Sequence, residues 1–520
     1  MIDFPSIFNV WLLLKIVGGL IGLTIAYKIS SLIISVYQRK RRFLKQGILL
    51  VPWIGFNFYK EQQSLLEKYG DAMQPIKDAA KKHPDAKAFL VQRGPLVLLT
   101  LSGPEHIKEY NNRIITDYDR LQLQKFADPL LKNGITTLTG EEWKLHRKIL
   151  SESFHFDVLE RSIKDNHITA VEFFENLSKQ EMEEFLPRDQ MKKVFSAITG
   201  QTFFGENVDK RMIEGKSSLT YLIEIFETVI QGTKNPLFFV PMPDVIKRTL
   251  VRPYGKFVAN SIKFKKLMLQ IIQETRRRIE SGSHQKGSNI IEGLLEAQKQ
   301  YKDRTNTLDD ESICGEFITL LFAGTDITSV LLAMTLYYLA LYPDLVTELV
   351  EEIHRVIPDG KVTSISQLNS LELMHSVLKE VLRLHPGGGF TVKEAIRDHK
   401  LLDIEIKKGD YVGVAIQANN VNPKYWEDPE KFNPRRFMKG VISPHMEPFS
   451  FLTFSTGMRN CIGQHFAMIQ AKLVLLTFLT TFDFKLVPSN YKMQLGFKVM
   501  YEPMEPVKLH LTRKVQTAKA

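Results

Sequence analysis

Two cysteines occur in 520 residues, and one of them, Cys461, stands in a run that could do chemistry: Phe454-Ser-Thr-Gly457-Met-Arg459-Asn-Cys461-Ile-Gly463. Gly457 allows a tight turn, and GQHFAMIQAKLVLLTFL after Cys461 has helical periodicity. Cys461 therefore lies just before a helix N-terminus, where the dipole and free N–H groups stabilise a thiolate. Three chemistries compete for it. An inert buried cysteine is common for this residue type. Zinc could use Cys461 with His465, but no second pair of ligands has suitable spacing. Thiolate ligation of haem iron needs one cysteine and a basic residue for a propionate, and Arg459 could serve. Three more sets stand out. Glu380 and Arg383 in LKEVLRLHP share a helix face. On a solvated surface such a pair contributes almost nothing, but leucines and valines surround this one. Trp143 and Arg147 in GEEWKLHRKIL project from one face, so indole N–H and guanidinium could reach the same anion. Gly324 in LLFAGTDITSV interrupts a long helical pattern at ~1 kcal/mol relative to alanine, so some gain must offset it.

These residues need a scaffold, and the chain is long enough to build one. Its 44% hydrophobic and 24% charged content is ordinary for a globular protein with a large core. Two cysteines exclude a disulfide framework and fit a cytosol-facing domain. A formal charge of +11 would permit nucleic-acid binding, but the basic residues are scattered and no zinc-finger or RNA-binding signature is present. No nucleic-acid partner is expected; the charge suits anionic lipid or an acidic protein. One basic cluster, QRKRRFLK, follows IFNVWLLLKIVGGLIGLTIAYKISSLIISVY, which exceeds the about 20 apolar residues a membrane helix needs. Lys15 and Lys28 interrupt that stretch, and a helix lying on the membrane surface is the competing reading. No small-residue cleavage site follows, so a signal anchor is expected over residues 1–38. Arg39, Lys40, Arg41 and Arg42 then lie in the cytosol. A basic stop and linker over 39–58 and a catalytic domain over 59–520 complete the organisation.

KAFLVQRGPLVLLTL reads as a hairpin around Arg93-Gly94-Pro95, and LLDIEIKKGDYVGVAIQA as another. From Glu141 to about Arg278 the pattern is helical. Thr307 is the expected N-cap of a long helix that stops at Tyr342-Pro343. The tail from Tyr491 to Thr512 alternates like paired strands. The fold class is mainly α with a minor β part, one catalytic domain after an N-terminal transmembrane helix.

The run from Phe454 to Gly463 resembles the haem-binding signature of the cytochrome P-450 family at every defining position, and four further segments follow the family's order from about Gly140. The resemblance implies that fold, haem b, and a microsomal monooxygenase inserting one oxygen atom from dioxygen into a lipophilic substrate. It also implies electrons from an NADPH-cytochrome reductase, with cytochrome b5 as a further donor. The expected place is the endoplasmic reticulum membrane, single-pass, with the catalytic domain cytosolic. On the same basis Cys461 is the axial thiolate. Phe454 shields its sulfur, Gly463 lets the helix approach the ring, and Arg459, Trp143 and Arg147 meet propionates. Lys393 stands where the family often has an arginine, keeping the charge and losing the fork. Arg436 in KFNPRRF joins Glu380 and Arg383 in a buried network that holds the haem loop. Ala323 and Gly324 make room for dioxygen over the iron, and Asp326 relays protons. The threonine that follows this acid in the family is Ile327 here; Thr328, one position on and about 100° round the helix, is the remaining catalytic candidate beside Asp326. That departure leaves an isomerase or dehydratase of the same fold, a peroxide-driven enzyme without a reductase, and a non-catalytic haem-binding protein as alternatives. NPLFFVP reads either as a membrane-facing substrate entrance or as an apolar loop packed on the core.

Overall fold

A helix that is apolar on every side is stable only inside a shell of other elements, and this chain is built round one such helix, Asp310–Leu341, whose most apolar stretch is 78% buried. The computed structural model of the chain describes residues 4–51, 58–93, 96–121, 126–154, 156–240, 242–282, 289–301, 308–441 and 449–515. In chain order, the helices that build or frame the site are α1 (Phe4–Lys45), α2 (Gly140–Ser153), α3 (Pro187–Phe204), α4 (Ser218–Thr233), α5 (Arg252–Glu280), the central α6 (Asp310–Leu341), α7 (Glu372–Leu384) and α8 (Gln464–Thr481). α6 packs on α3, α5, α7 and α8, and α4 packs on α5.

The β part is small, as expected. Strands β1 (Leu49–Leu50), β2 (Ala88–Arg93), β3 (Leu96–Leu101), β4 (Tyr118–Asp119), β5 (Thr391–Ala395) and β6 (Tyr411–Val414) form a sheet in the order β1-β2-β3-β6-β5-β4. The first predicted hairpin is present, with Ala88 opposite Leu101 and Arg93 opposite Leu96; Gly94 and Pro95 lie outside the described residues. The second is different. Only His399–Leu401 and Ile404–Ile406 pair as a hairpin, while β6 runs parallel to β3 and antiparallel to β5, placing Lys393 opposite Val412. The alternating pattern of Tyr411–Val414 fits either partner, so only the tertiary fold selects β3. Near the C-terminus β7 (Leu495–Phe497) pairs with β8 (Tyr501–Pro503), and Leu509–Arg513 pairs with Phe482–Leu486.

The start of α6 also differs from expectation. Thr307 lies outside the described residues, and the N-cap is Asp309, whose carboxylate accepts from Ser312 N–H at 2.7 Å. Asp310 and Glu311 sit in the first turn, at the positive end of the dipole.

α1 runs without a break past residue 38 to Lys45, and β1 then joins the sheet, so the span read as a linker is in its described part docked structure. Phe43 is fully buried. Arg39 Nη2 donates to the Gly409 carbonyl at 2.7 Å, its Nε lies 3.2 Å from Asp410 Oδ1, and its guanidinium stacks on Tyr411 at 4.7 Å. Arg42 pairs with the same carboxylate. A buried carboxylate such as Asp410 is stable only when paired, and the basic cluster supplies its partners.

Candidate functional site

α8 starts at Gln464 with Gly463 at its N-cap, so Cys461 precedes the helix as the sequence requires. The bend before it depends on Gly457, whose φ of +71° is left-handed and where a Cβ would stand 3.0 Å from Asn111. Cys461 N–H donates to the Phe454 carbonyl at 2.9 Å, and the partly buried Phe454 packs on the core. A Cβ at Gly463 would meet open space. The Cys461 side chain is accessible. Protein around it still pushes the thiol above its ordinary value by desolvation; the Gly463 N–H and the Arg147 charge act the other way. The helix terminus helps the thiolate, but desolvation is the larger effect in the chain alone.

Three cations gather around this loop. Arg147 donates from Nη1 to the Asn460 carbonyl at 2.8 Å and from Nη2 to Asn460 Oδ1 at 2.7 Å. Arg459 lies 4.1 Å above the ring of the buried Trp143 and donates from Nη2 to the Leu138 carbonyl at 2.7 Å. Its Nε is buried with no partner. Burial lowers the Arg147 pKa. Burial takes Arg459 down to about 10, with Arg147 adding to the fall. Burial, then repulsion from Arg459, takes Lys393 down to about 8, and Asp119 offsets only part of this. Crowded cations with depressed pKa values are what a bound anion would relieve.

Residues Ala323–Ile327 of α6 form a π turn, a local widening of the helix that often marks functional sites. Gly324 lets α6 pack closely on α3. A Cβ on it would stand 3.1 Å from Thr199 Cγ2 and 3.7 Å from Phe203 Cε2 on α3. Ala323 is half-buried. Ile327 is 37% exposed in the middle of a buried helix, and its Cγ2 lies 3.5 Å from where a Gly387 Cβ would be. Thr328 is 3% exposed, so its hydroxyl does not share the accessible face with Ile327. Phe203 links this turn to the Cys461 side, since its ring lies 4.9 Å from that of Phe466 in the first turn of α8.

Asp326 is buried and faces α3. Its Oδ1 accepts from Arg188 Nη2 at 2.7 Å and lies 3.5 Å from Lys192 Nζ, while Oδ2 has no hydrogen-bond partner. Arg188 Nε donates to Glu502 Oε2 at 2.6 Å. Burial opposes the Arg188 charge, and the two carboxylates outweigh it, raising its pKa. A cavity of about 450 Å³ lies on this side, lined by Arg188, Ile223, Phe322, Asp326, Phe497 and Glu502 among others, and Cys461 does not line it.

The Glu380–Arg383–Arg436 network is complete. Arg383 donates from Nε and Nη2 to the Glu380 carboxylate at 2.7 and 2.8 Å, and from Nη1 to the Asn420 carbonyl at 2.7 Å. Arg436 Nε adds a bond to Glu380 Oε1 at 3.2 Å. Asn420 carries the network to the loop before Cys461: Nδ2 donates to Thr453 Oγ1 at 3.0 Å, and Oδ1 accepts from Leu452 N–H at 3.1 Å. Sequence reasoning missed Asn420, Asn460, Arg188 and Lys192, each an ordinary polar residue whose partner is chosen by the fold. It also passed over Glu316 on α6 and its contact with His146, although a lone acid within CGEFITLLFAG is a visible signal.

A family model described as Cytochrome P-450 matches residues 62–509. Cytokinin hydroxylase of Arabidopsis thaliana is 29% identical over 410 residues, covering 78% of this chain and 77% of its own length. Cytochrome P-450 3A2 of Rattus norvegicus is 29% identical over 395 residues, covering 73% and 75%. Cytochrome P-450 3A31 of Mesocricetus auratus is 28% identical over 532 residues, covering 97% of each.

Proposed function

The chain belongs to the cytochrome P-450 family and is a haem-thiolate monooxygenase, and from that premise we propose a membrane-anchored enzyme that oxygenates a lipophilic substrate with electrons from an NADPH-dependent reductase. The observation that carries the reading is an accessible thiol at Cys461 beside three crowded cations, Arg147, Arg459 and Lys393. Haem b fits that donor set: one soft ligand for iron and two propionates for the cations, with the unpartnered Arg459 Nε among the groups left to satisfy. Cys461 would hold the iron, Arg147, Arg459 and Lys393 the propionates, and Trp143 would keep Arg459 in place from below. Bound there, haem supplies dioxygen activation and oxygen transfer.

The chain's own residues do the rest. Glu380, Arg383, Arg436 and Asn420 fix the loop that presents Cys461. Asp326, anchored by Arg188 and Lys192, keeps Oδ2 free to accept and pass on a proton. Ile327 offers the accessible face of the π turn a methyl-bearing chain, so the last proton donor is water or a substrate hydroxyl. That same face favours a second reading, a rearrangement or peroxide-driven reaction that needs no such donor.

Support for the anchor comes from α1, which at 42 residues is about 63 Å long. It can cross a hydrocarbon core of about 30 Å and still dock through Arg39 and Arg42. Ile16, Leu23, Ile33 and Ile34 are exposed along it. Exposed Val245, Ile246 and Leu250 on the helix Asp244–Leu250 fit a second contact with lipid. The endoplasmic reticulum suits such an enzyme with its catalytic body cytosolic. Reconstitution in liposomes with a reductase, over a panel of fatty acids, sterols and aromatic compounds, tests this. Product should require NADPH and reductase; equal turnover on peroxides without them would replace this reading with the second.

A further inference from the structure

We propose that Glu316 is a positioning residue that sets the two guanidiniums flanking Cys461, those of Arg459 and Arg147, through two separate mechanical links. The proposal rests on the haem reading above and extends it to a residue outside the site. Glu316 stands on α6, about two turns before the π turn, and its carboxylate is fully buried. Oε2 accepts from the Ile135 N–H at 2.9 Å. Oε1 lies 2.7 Å from Nδ1 of the equally buried His146.

The first link passes through Ile135. Glu316 holds its N–H, and its carbonyl accepts from Arg459 Nη1 at 3.3 Å. The segment is pressed against α6 at the same level: a Cβ on Gly315 would stand 2.5 Å from the Lys132 carbonyl oxygen, and one on Gly134 would stand 2.7 Å from the Gly315 oxygen. The second link passes through α2. His146 precedes Arg147 in that helix, and Arg147 donates to both oxygens of Asn460, the residue before Cys461. One carboxylate thus ties the central helix to two of the three cations that would receive the propionates. Burying it is unfavourable in itself: desolvation pushes Glu316 up, and the bonds to His146 and Ile135 offset only part of that. Packing alone would be better served by a leucine at this position. The geometry it imposes explains why an acid is there.

The test uses the haem-loaded full chain and follows haemin transfer to excess apomyoglobin. Glu316→Leu should lose haemin about tenfold faster, the size expected when a buried hydrogen-bonded charge is deleted. His146→Leu, which cuts the second link alone, should lose it about threefold faster. Glu316→Gln keeps an oxygen for the Ile135 N–H and should stay within about twofold of the parent. The thiolate signature of the reduced carbon-monoxide complex should persist in all three, because Cys461 is untouched. Haemin loss unchanged in Glu316→Leu and His146→Leu overturns the proposal. So does a lower unfolding midpoint in haem-free and loaded chains alike with haemin loss unaltered, the mark of a purely structural pair. If Glu316→Leu fails to fold, His146→Leu decides, and loss no faster than the parent's overturns the proposal. A parent without the thiolate signature overturns the haem reading, and this proposal with it.

Discussion

Ile327 and Lys393 are the two residues where this chain departs from what its own motifs lead one to expect. Ile327 faces open space and Thr328 does not, so a hydroxyl restored at 327 should reach the reacting atoms. Ile327→Thr should lower the hydrogen peroxide released per NADPH consumed, while Thr328→Val should leave that ratio unaltered; both follow from paired assays of the two quantities. Lys393 gives a pH signature. Its folded pKa of about 8 lies below the ordinary 10.5, so between these values the unfolded chain binds more protons than the folded one. Stability of the haem-free chain therefore rises with pH across that window. Lys472, also lowered to about 8 by burial, contributes in the same direction, so the readout is a difference. Urea midpoints should climb less steeply above pH 8 in Lys393→Met than in the parent. Cys461, Glu380, Arg383, Arg147 and Trp143 were legible through their resemblance to the family's motifs, whereas spacing alone placed only Glu380 with Arg383 and Trp143 with Arg147 on shared helix faces. The direction of Ile327 was not, because it depends on a π turn that no local pattern announces. The partners of Asp326 were not either, since Arg188 arrives from 138 residues away.

At the scale of elements, α7 and the loop before Cys461 act as one unit. Arg383 is fully buried and its guanidinium satisfies Glu380, Asn420 and the Pro429 carbonyl at once. Arg383→Ala strands a buried carboxylate and should cost ~3–5 kcal/mol. Urea unfolding should show that loss, together with a chain that no longer retains haem. Arg436→Ala should cost less, because Arg383 still pairs with Glu380 through two bonds. The helices and the β2–β3 hairpin could be read from periodicity and turn chemistry. The insertion of β6 beside β3 could not, because strand alternation names a buried face and not a neighbour. Gly324 shows the same limit: the sequence signals that a gain must offset a glycine in a helix, and the fold decides that α3 provides it.

At the scale of the whole molecule, the C-terminal end of α1 is fastened to the body that carries Cys461. Asp410 draws Arg39 and Arg42 out of the basic cluster, Lys40 reaches Gln92 Oε1 at 3.5 Å, and Arg41 stays exposed. Asp410→Asn should weaken the dock without releasing the protein from membranes. Limited trypsin digestion on liposomes should then cleave between Arg39 and Lys45 faster than in the parent, with sedimentation of the uncleaved chain unchanged. Equal cleavage would mean that the ion pairs do not hold the junction. Cys461, just before α8, is the proposed iron ligand on which the function turns. The most direct check is the absorption spectrum of the reduced, carbon-monoxide-bound protein beside that of Cys461→Ser. A strongly red-shifted Soret band in the parent that vanishes in the variant is the expected result; the same band in both would contradict Cys461 as the ligand.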